Sequence, residues 1–216
     1  AGQDLNLSGG SFIVNATTKV GRDMSMLNGS KFTGSTANVT GAMSAGNSSI
    51  IGSTINADTI NINGIAANKE TATLNSATLN STHGTTINNT DAVGILTATA
   101  TAGNVHLGNV TGITKVHPQV VVDINGVPTV VAPERTVTNK PTVRLSTTNS
   151  GDIEVVDSNL GDTTVTSAGG VKISDSKVNT VTANAGTYID IDNLDVLAGN
   201  LVANAYGDIT IDDSYV

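Results

Sequence analysis

The chain has 216 residues, of which 38% are hydrophobic, 2% aromatic and 13% charged, with no Cys, no Trp and a formal net charge of −8. That balance lacks the basic footprint that phosphate binding requires, which argues against nucleic acid as a partner, and no apolar run approaches the ~20 residues of a bilayer span. The apolar share is mostly Ala, Val and Ile, and Thr, Asn and Ser make up about a third of the chain, so a folded core has to be narrow and filled by small and β-branched side chains.

The first residues, Ala1-Gly2-Gln3-Asp4, are neither a signal peptide nor an initiator start, which leads us to expect a segment of something longer. The phrase Gly2-Gln3-Asp4-Leu5-Asn6-Leu7 returns as Gly21-Arg22-Asp23-Met24-Ser25-Met26, one short repeat later. Weaker strand-like stretches follow at Thr59–Asn63, Ile95–Thr99 and Gly103–Leu107. No stretch sustains a 3.6-residue period with caps, so no helix is expected.

Residues 117–149 break the pattern. They hold all four prolines, Pro118, Pro128, Pro133 and Pro141, together with the charged residues Glu134, Arg135, Lys140 and Arg144. Val120–Ile124, then Asn125-Gly126, then Val127–Val131 is a hairpin signal, because Asn and Gly tolerate the positive φ of a type I′ turn. The expectation is a hairpin and loop inserted between coils at 1–116 and 150–216.

The C-terminal stretch repeats most clearly. Gly151-Asp152-Ile153-Glu154-Val155 recurs as Gly169-Gly170-Val171-Lys172-Ile173 and as Gly207-Asp208-Ile209-Thr210-Ile211, with a looser copy at Ile189-Asp190-Ile191. Between the copies lies a second strand pattern at Thr164–Ala168, Thr180–Asn184 and Asn200–Asn204. Alternation points Ile153 and Val155 and their counterparts inward and sends Glu154, Lys172, Asp190 and Thr210 to solvent. Stacking at the ordinary strand spacing then builds an all-β solenoid, a right-handed parallel β-helix of nine or ten coils and roughly 45 Å.

These phrases resemble the haemagglutinin-type repeats of filamentous haemagglutinin-like exoproteins, over most of the chain apart from the insertion. The resemblance implies a large bacterial protein secreted by the two-partner route through an outer-membrane transporter. Such a protein serves as an adhesin, a biofilm-matrix protein or the stalk of a contact-dependent toxin, with a host-cell receptor or a polysaccharide as partner. The Asn-Pro-Asn-Gly or Asn-Pro-Asn-Leu signature of the export domain is missing, with Asn61-Ile62-Asn63-Gly64 and Asp123-Ile124-Asn125-Gly126 as partial echoes. The segment is therefore expected downstream of that domain, virulence-associated and at the cell surface.

No catalytic, cofactor or metal set emerges from the residues. Asp157, Asp175, Asn193 and Asp213 fall at equivalent positions after a strand, so they should stack as a turn ladder in which each side chain accepts backbone amides. Calcium is the sharper alternative, with Asp190, Asp192, Asp195, Asp212 and Asp213 as oxygen donors, but six to eight oxygens must converge and no calcium-roll nonapeptide is present. His83, His106 and His117 lack metal-helix spacing. A β-helical lyase or hydrolase would need paired carboxylates with nearby cations. Thr-x-Thr pairs such as Thr97/Thr99 and Thr164/Thr166 raise an ice-binding surface, although Thr is also a good β-former on a half-exposed face. The charged residues of the insertion are the expected partner contact.

Overall fold

The computed structural model describes residues 2–64, 72–112, 114–116, 119–122, 128–132, 135–137 and 139–216. Among these residues there is no helix, and parallel strands stack into a β-solenoid of about nine turns. Each turn follows three strand columns around the core.

The first column starts at Leu5–Leu7 and pairs Leu5 with Met24, Met24 with Met43, and Met43 with Ile60. It continues through Thr85, Val105, Ile153, Val171, Ile189 and Ile209, every step parallel. Two inward positions per strand form two stacks, and Ile153, Val155, Val171, Ile173 and Ile191 are completely buried. Each such aliphatic side chain contributes about 1.5–3 kcal/mol of burial. The stacking of the C-terminal copies expected from their shared phrase is present in register.

The second column was not expected: the sequence pattern assigns two strands per coil, and the fold has three. It stacks Ile13 on Phe32, Phe32 on Ile50, Ile50 on Leu74 and Leu74 on Ala92. Beyond the insertion it thins to the single bridges Thr111 to Asn159 and Asn159 to Lys177, then recovers a three-residue ladder of Ser176–Val178 on Leu194–Val196, with Leu160 and Val178 fully buried. A strand so short leaves no period-2 pattern to read.

The third column runs Thr17, Thr36, Thr54, Thr78, Thr97, Arg144, Thr164, Thr182, Val202. Its register differs from the visual alignment of the sequence copies. Val165 stacks on Ala183, two residues beyond Val181, because Thr180 pairs with Asp162.

Four strands in the interrupting stretch pair antiparallel: Thr114–Val116 with Arg135–Val137, and Gln119–Val122 with Pro128–Ala132. The turn expected at Asn125-Gly126 lies outside the described residues. The projection leaves the solenoid after Gly112, whose Cβ, if it had one, would clash with the Asn139 carbonyl oxygen. Only glycine lets the outgoing and returning chains come this close. Thr142–Thr147, which falls within the stretch expected to project, is a coil strand paired with Ile95–Ala100. The chain rejoins the stack there because Val143 and Leu145 supply the inward alternation that a coil needs.

Candidate functional site

Of the four residues expected to make a partner contact, Arg144 belongs to the third column, exposed on the coil surface between Thr97 and Thr164. Arg135 lies on a projecting strand opposite Val116, and Glu134 lies outside the described residues. Lys140 sits at the neck, half-buried, with its Nζ covered and without a hydrogen-bond partner. Burial, and then the charge of Lys177, hold the Lys140 ammonium below the ordinary lysine range. Lys177 itself pairs with Asp195 at 2.9 Å.

The turn ladder stands between the first and second columns, with a mechanism other than the expected one. Asp157, Asp175, Asn193 and Asp213 all have positive φ, between 43° and 50°, and Asn28, Asn47, Asn89 and Asn109 do too, between 47° and 54°. Asx residues visit this left-handed region at low cost, which lets the chain turn in one residue. The amide of Asn193 donates to Asp175 Oδ1 at 2.7 Å, and Asn109 likewise to Asn89 at 2.9 Å. The backbone amides are taken instead by the serine one residue on: Ser158 N–H donates to the buried Ser176 Oγ at 3.2 Å, and Leu194 N–H to the partly buried Ser214 Oγ at 3.1 Å.

The Gly-x-Asp phrase is also a clasp between coils. Asp4 Oδ1 accepts from Asp23 N–H at 3.3 Å, Asp23 Oδ1 from Ala42 N–H at 2.8 Å, and Asp152 Oδ1 from Gly170 N–H at 2.6 Å. The Arg22 guanidinium, bidentate on Asp4 at 2.8 and 3.1 Å, and the Asp23 amide hold the Asp4 carboxyl below the usual range. Asp4, Asp23 and Asp152 thus hold coil to coil.

A groove of about 510 Å³ lies on the third column and its corner toward the first, over the N-terminal coils. Asn38, Asn56 and Asn80 stack along its length, Asn56 Nδ2 donating to Asn38 Oδ1 at 2.9 Å and Asn80 Nδ2 to Asn56 Oδ1 at 2.8 Å. Lys19, Thr40, Asp58, Thr82 and Thr101 line the rest. Its origin is local. Three residues link Val39 to Met43 around the corner and three link Ser81 to Thr85, but only Asp58 and Thr59 link Ala57 to Ile60. The strand Thr54–Asn63 passes through this short corner, and the register slips between Ser81 and Gly84 to absorb the extra residue above. His83, carried by that extra residue, reaches back to pair with Asp58. Sequence reasoning missed this groove; the recurring Thr36-x-Asn38, Thr54-x-Asn56 and Thr78-x-Asn80 triplets were its signal.

A second hollow on the same column, about 350 Å³, is lined by Asn184, Asn204 and Tyr206, with Asn204 Nδ2 bonded to Asn184 Oδ1 at 3.0 Å. Among the described residues no group of three or more His, Asp or Glu converges on a point. Asp195, one of the residues considered for calcium, is instead the partner of Lys177. His106 pairs with Glu154 at 2.9 Å across coils. Comparison with protein-family models, with curated proteins and with solved structures finds no match.

Proposed function

We propose that the chain is a non-catalytic repeat segment of a large bacterial exoprotein, secreted or held at the cell surface, that acts in attachment or in a biofilm matrix. The observation that carries this reading is a parallel stack held by main-chain pairing at every coil step, with an antiparallel projection between Gly112 and Asn139. A stiff rod places whatever it carries at a distance, and elements displayed on rigid scaffolds are where recognition concentrates. The Gly-x-Asp-aliphatic phrases support a filamentous haemagglutinin-like protein, and with it an outer-membrane transporter as export partner and a receptor or polysaccharide as target. The stalk of a contact-dependent toxin would use the same rod.

Removing residues 113–139 and joining Gly112 to Lys140 tests the reading, since the two ends of the projection already touch. Attachment to host cells or to matrix polysaccharide should fall while the melting transition stays in place. Undiminished attachment removes the projection as the contact.

One observation favours a second reading, an ice-binding surface. Thr17, Thr36, Thr54, Thr78 and Thr97 stand in unbroken register on one face, because loop-length variation is confined to the corners. Thermal hysteresis with the purified chain decides it.

A further inference from the structure

The geometry points to the Asn38–Asn56–Asn80 groove as a binding site for an unbranched, neutral, hydroxyl-rich glycan laid along the solenoid axis. This deepens the attachment reading by naming a ligand class and its place, but it stands on the groove alone and needs nothing from the projection.

The chemistry of the lining selects the ligand. Each asparagine amide has two N–H donors and an oxygen that accepts twice. The ladder uses one N–H of Asn56 and one of Asn80, and one acceptance each at Asn38 and Asn56. Every amide therefore keeps hydrogen-bonding capacity while its orientation is already fixed by its neighbours. Ordering that is complete before binding is not charged to the ligand. A planar amide offers donor and acceptor side by side, the pattern presented by adjacent hydroxyls on a sugar ring. At the corner Asp58 already spends its Oδ1 on His83 and offers only its second carboxylate oxygen, while the Thr82 hydroxyl can both donate and accept.

The spacing selects a polymer. The amides recur once per coil, about 4.8 Å apart along the axis, a distance of the same order as the rise per residue of an extended β-linked glycan. Successive sugars would thus meet equivalent amides, with Lys19 at one end of the run and Thr101 at the other.

Other occupants fit less well. An added peptide strand needs free main-chain groups, and those of the floor are taken by the coils on either side. Nucleic acid would face a chain of net charge −8. A divalent ion would need converging carboxylates, and among the described residues no such group forms.

Calorimetric titration of the purified full chain with cellohexaose, chitohexaose and xylohexaose, and with polygalacturonate as an acidic comparison, tests the site. At least one neutral hexasaccharide should bind, and more tightly than its trisaccharide. Asn56→Leu should weaken that binding about tenfold or more, the scale of losing a well-made hydrogen bond or two. Thr82→Val, which leaves the ladder whole, should weaken it by a smaller factor, and Ser146→Ala, on the same column beyond the groove, should leave it unchanged. Absence of binding by all three neutral hexasaccharides overturns the proposal, as does binding of polygalacturonate alone, or binding that survives both Asn56→Leu and Thr82→Val. Since the readout is the isolated full chain, its failure is distinct from failure of the attachment assay on the chain lacking residues 113–139.

Discussion

Ser176 Oγ accepts the backbone N–H of Ser158, one coil earlier, at 3.2 Å and donates to the carbonyl of Ser174, two residues back in its own coil, at 2.7 Å. Ser158 repeats the arrangement, accepting from Val110 N–H at 3.2 Å and donating to the Val156 carbonyl at 2.8 Å. At the corner between the second and third columns, Ser35 accepts from Ala16 N–H at 3.0 Å and Ser53 from Ser35 N–H at 3.1 Å. At these corners a left-handed residue turns the chain away from the ladder, so the amide that follows it loses its carbonyl partner, and the serine hydroxyl of the next coil replaces it. This is why a narrow aliphatic core tolerates a line of buried serines.

Ser176→Ala should therefore destabilise the chain by about 1–3 kcal/mol, the cost of leaving a buried backbone donor without an acceptor. Ser176→Thr, which keeps the hydroxyl, should cost less. Urea melts of the two variants check the order; an alanine variant as stable as the parent would mean that water or a shifted backbone satisfies Ser158.

The turn residue in front of each serine is held by its backbone angle. Asp157 has φ of 50°, a region that costs a residue with a Cβ about 1–2 kcal/mol and a β-branched one more. Asp157→Val should lose stability by at least that amount, whereas Asp157→Gly should stay within about 0.5 kcal/mol of the parent. Thermal melts of both, compared with Asp175→Gly, separate the backbone requirement from the side-chain ladder.

What could be read from the residues follows the same physics. Ile153, Val171, Ile189 and Ile209 stack as their shared phrase implies, because the alternation is long enough to show and each copy starts at a glycine-rich corner. Leu160, Val178 and Val196 form another buried line, yet their inward partners two residues earlier are Ser158, Ser176 and Leu194, so two of the three copies show no apolar alternation to mark a strand. The exposure of Arg144 on a coil is obscured by its nearness to Pro141 and Lys140. The asparagine ladder is legible as a spacing, but the groove around it depends on the two-residue link Asp58-Thr59 being one residue shorter than its neighbours. Comparing corner lengths requires the register, and the register became plain only with the strands paired.

Depth in the stack should set the cost of core truncation. Ile173 is fully buried between Val155 and Ile191, while Ile211, its counterpart in the last coil of the described chain, is 45% exposed. Ile173→Ala should cost about 2–5 kcal/mol, since neighbours clamped by main-chain pairing on both sides cannot collapse into the cavity. Ile211→Ala should cost clearly less. Equal losses in chemical denaturation would show that the last coil is packed as tightly as the interior.

Lys140 contributes in the opposite sense. Burial and the nearby Lys177 disfavour its charged form in the folded chain, so its folded pKa lies below its unfolded one. At neutral pH both states bind the proton and the folded state carries the full penalty. As pH rises through the folded pKa toward the ordinary lysine value of about 10.4, the folded chain sheds its proton first and the penalty is relieved. The stability contribution of this residue thus increases over that alkaline window. Lys140→Met should be as stable as the parent or more so at pH 7, by no more than about 1 kcal/mol because solvent reaches the rest of the side chain. Melting both chains at pH 7 and near pH 10 is the check: the difference should shrink at the higher pH. A methionine variant that melts below the parent at pH 7 would mean that the ammonium has a stabilising partner in solution.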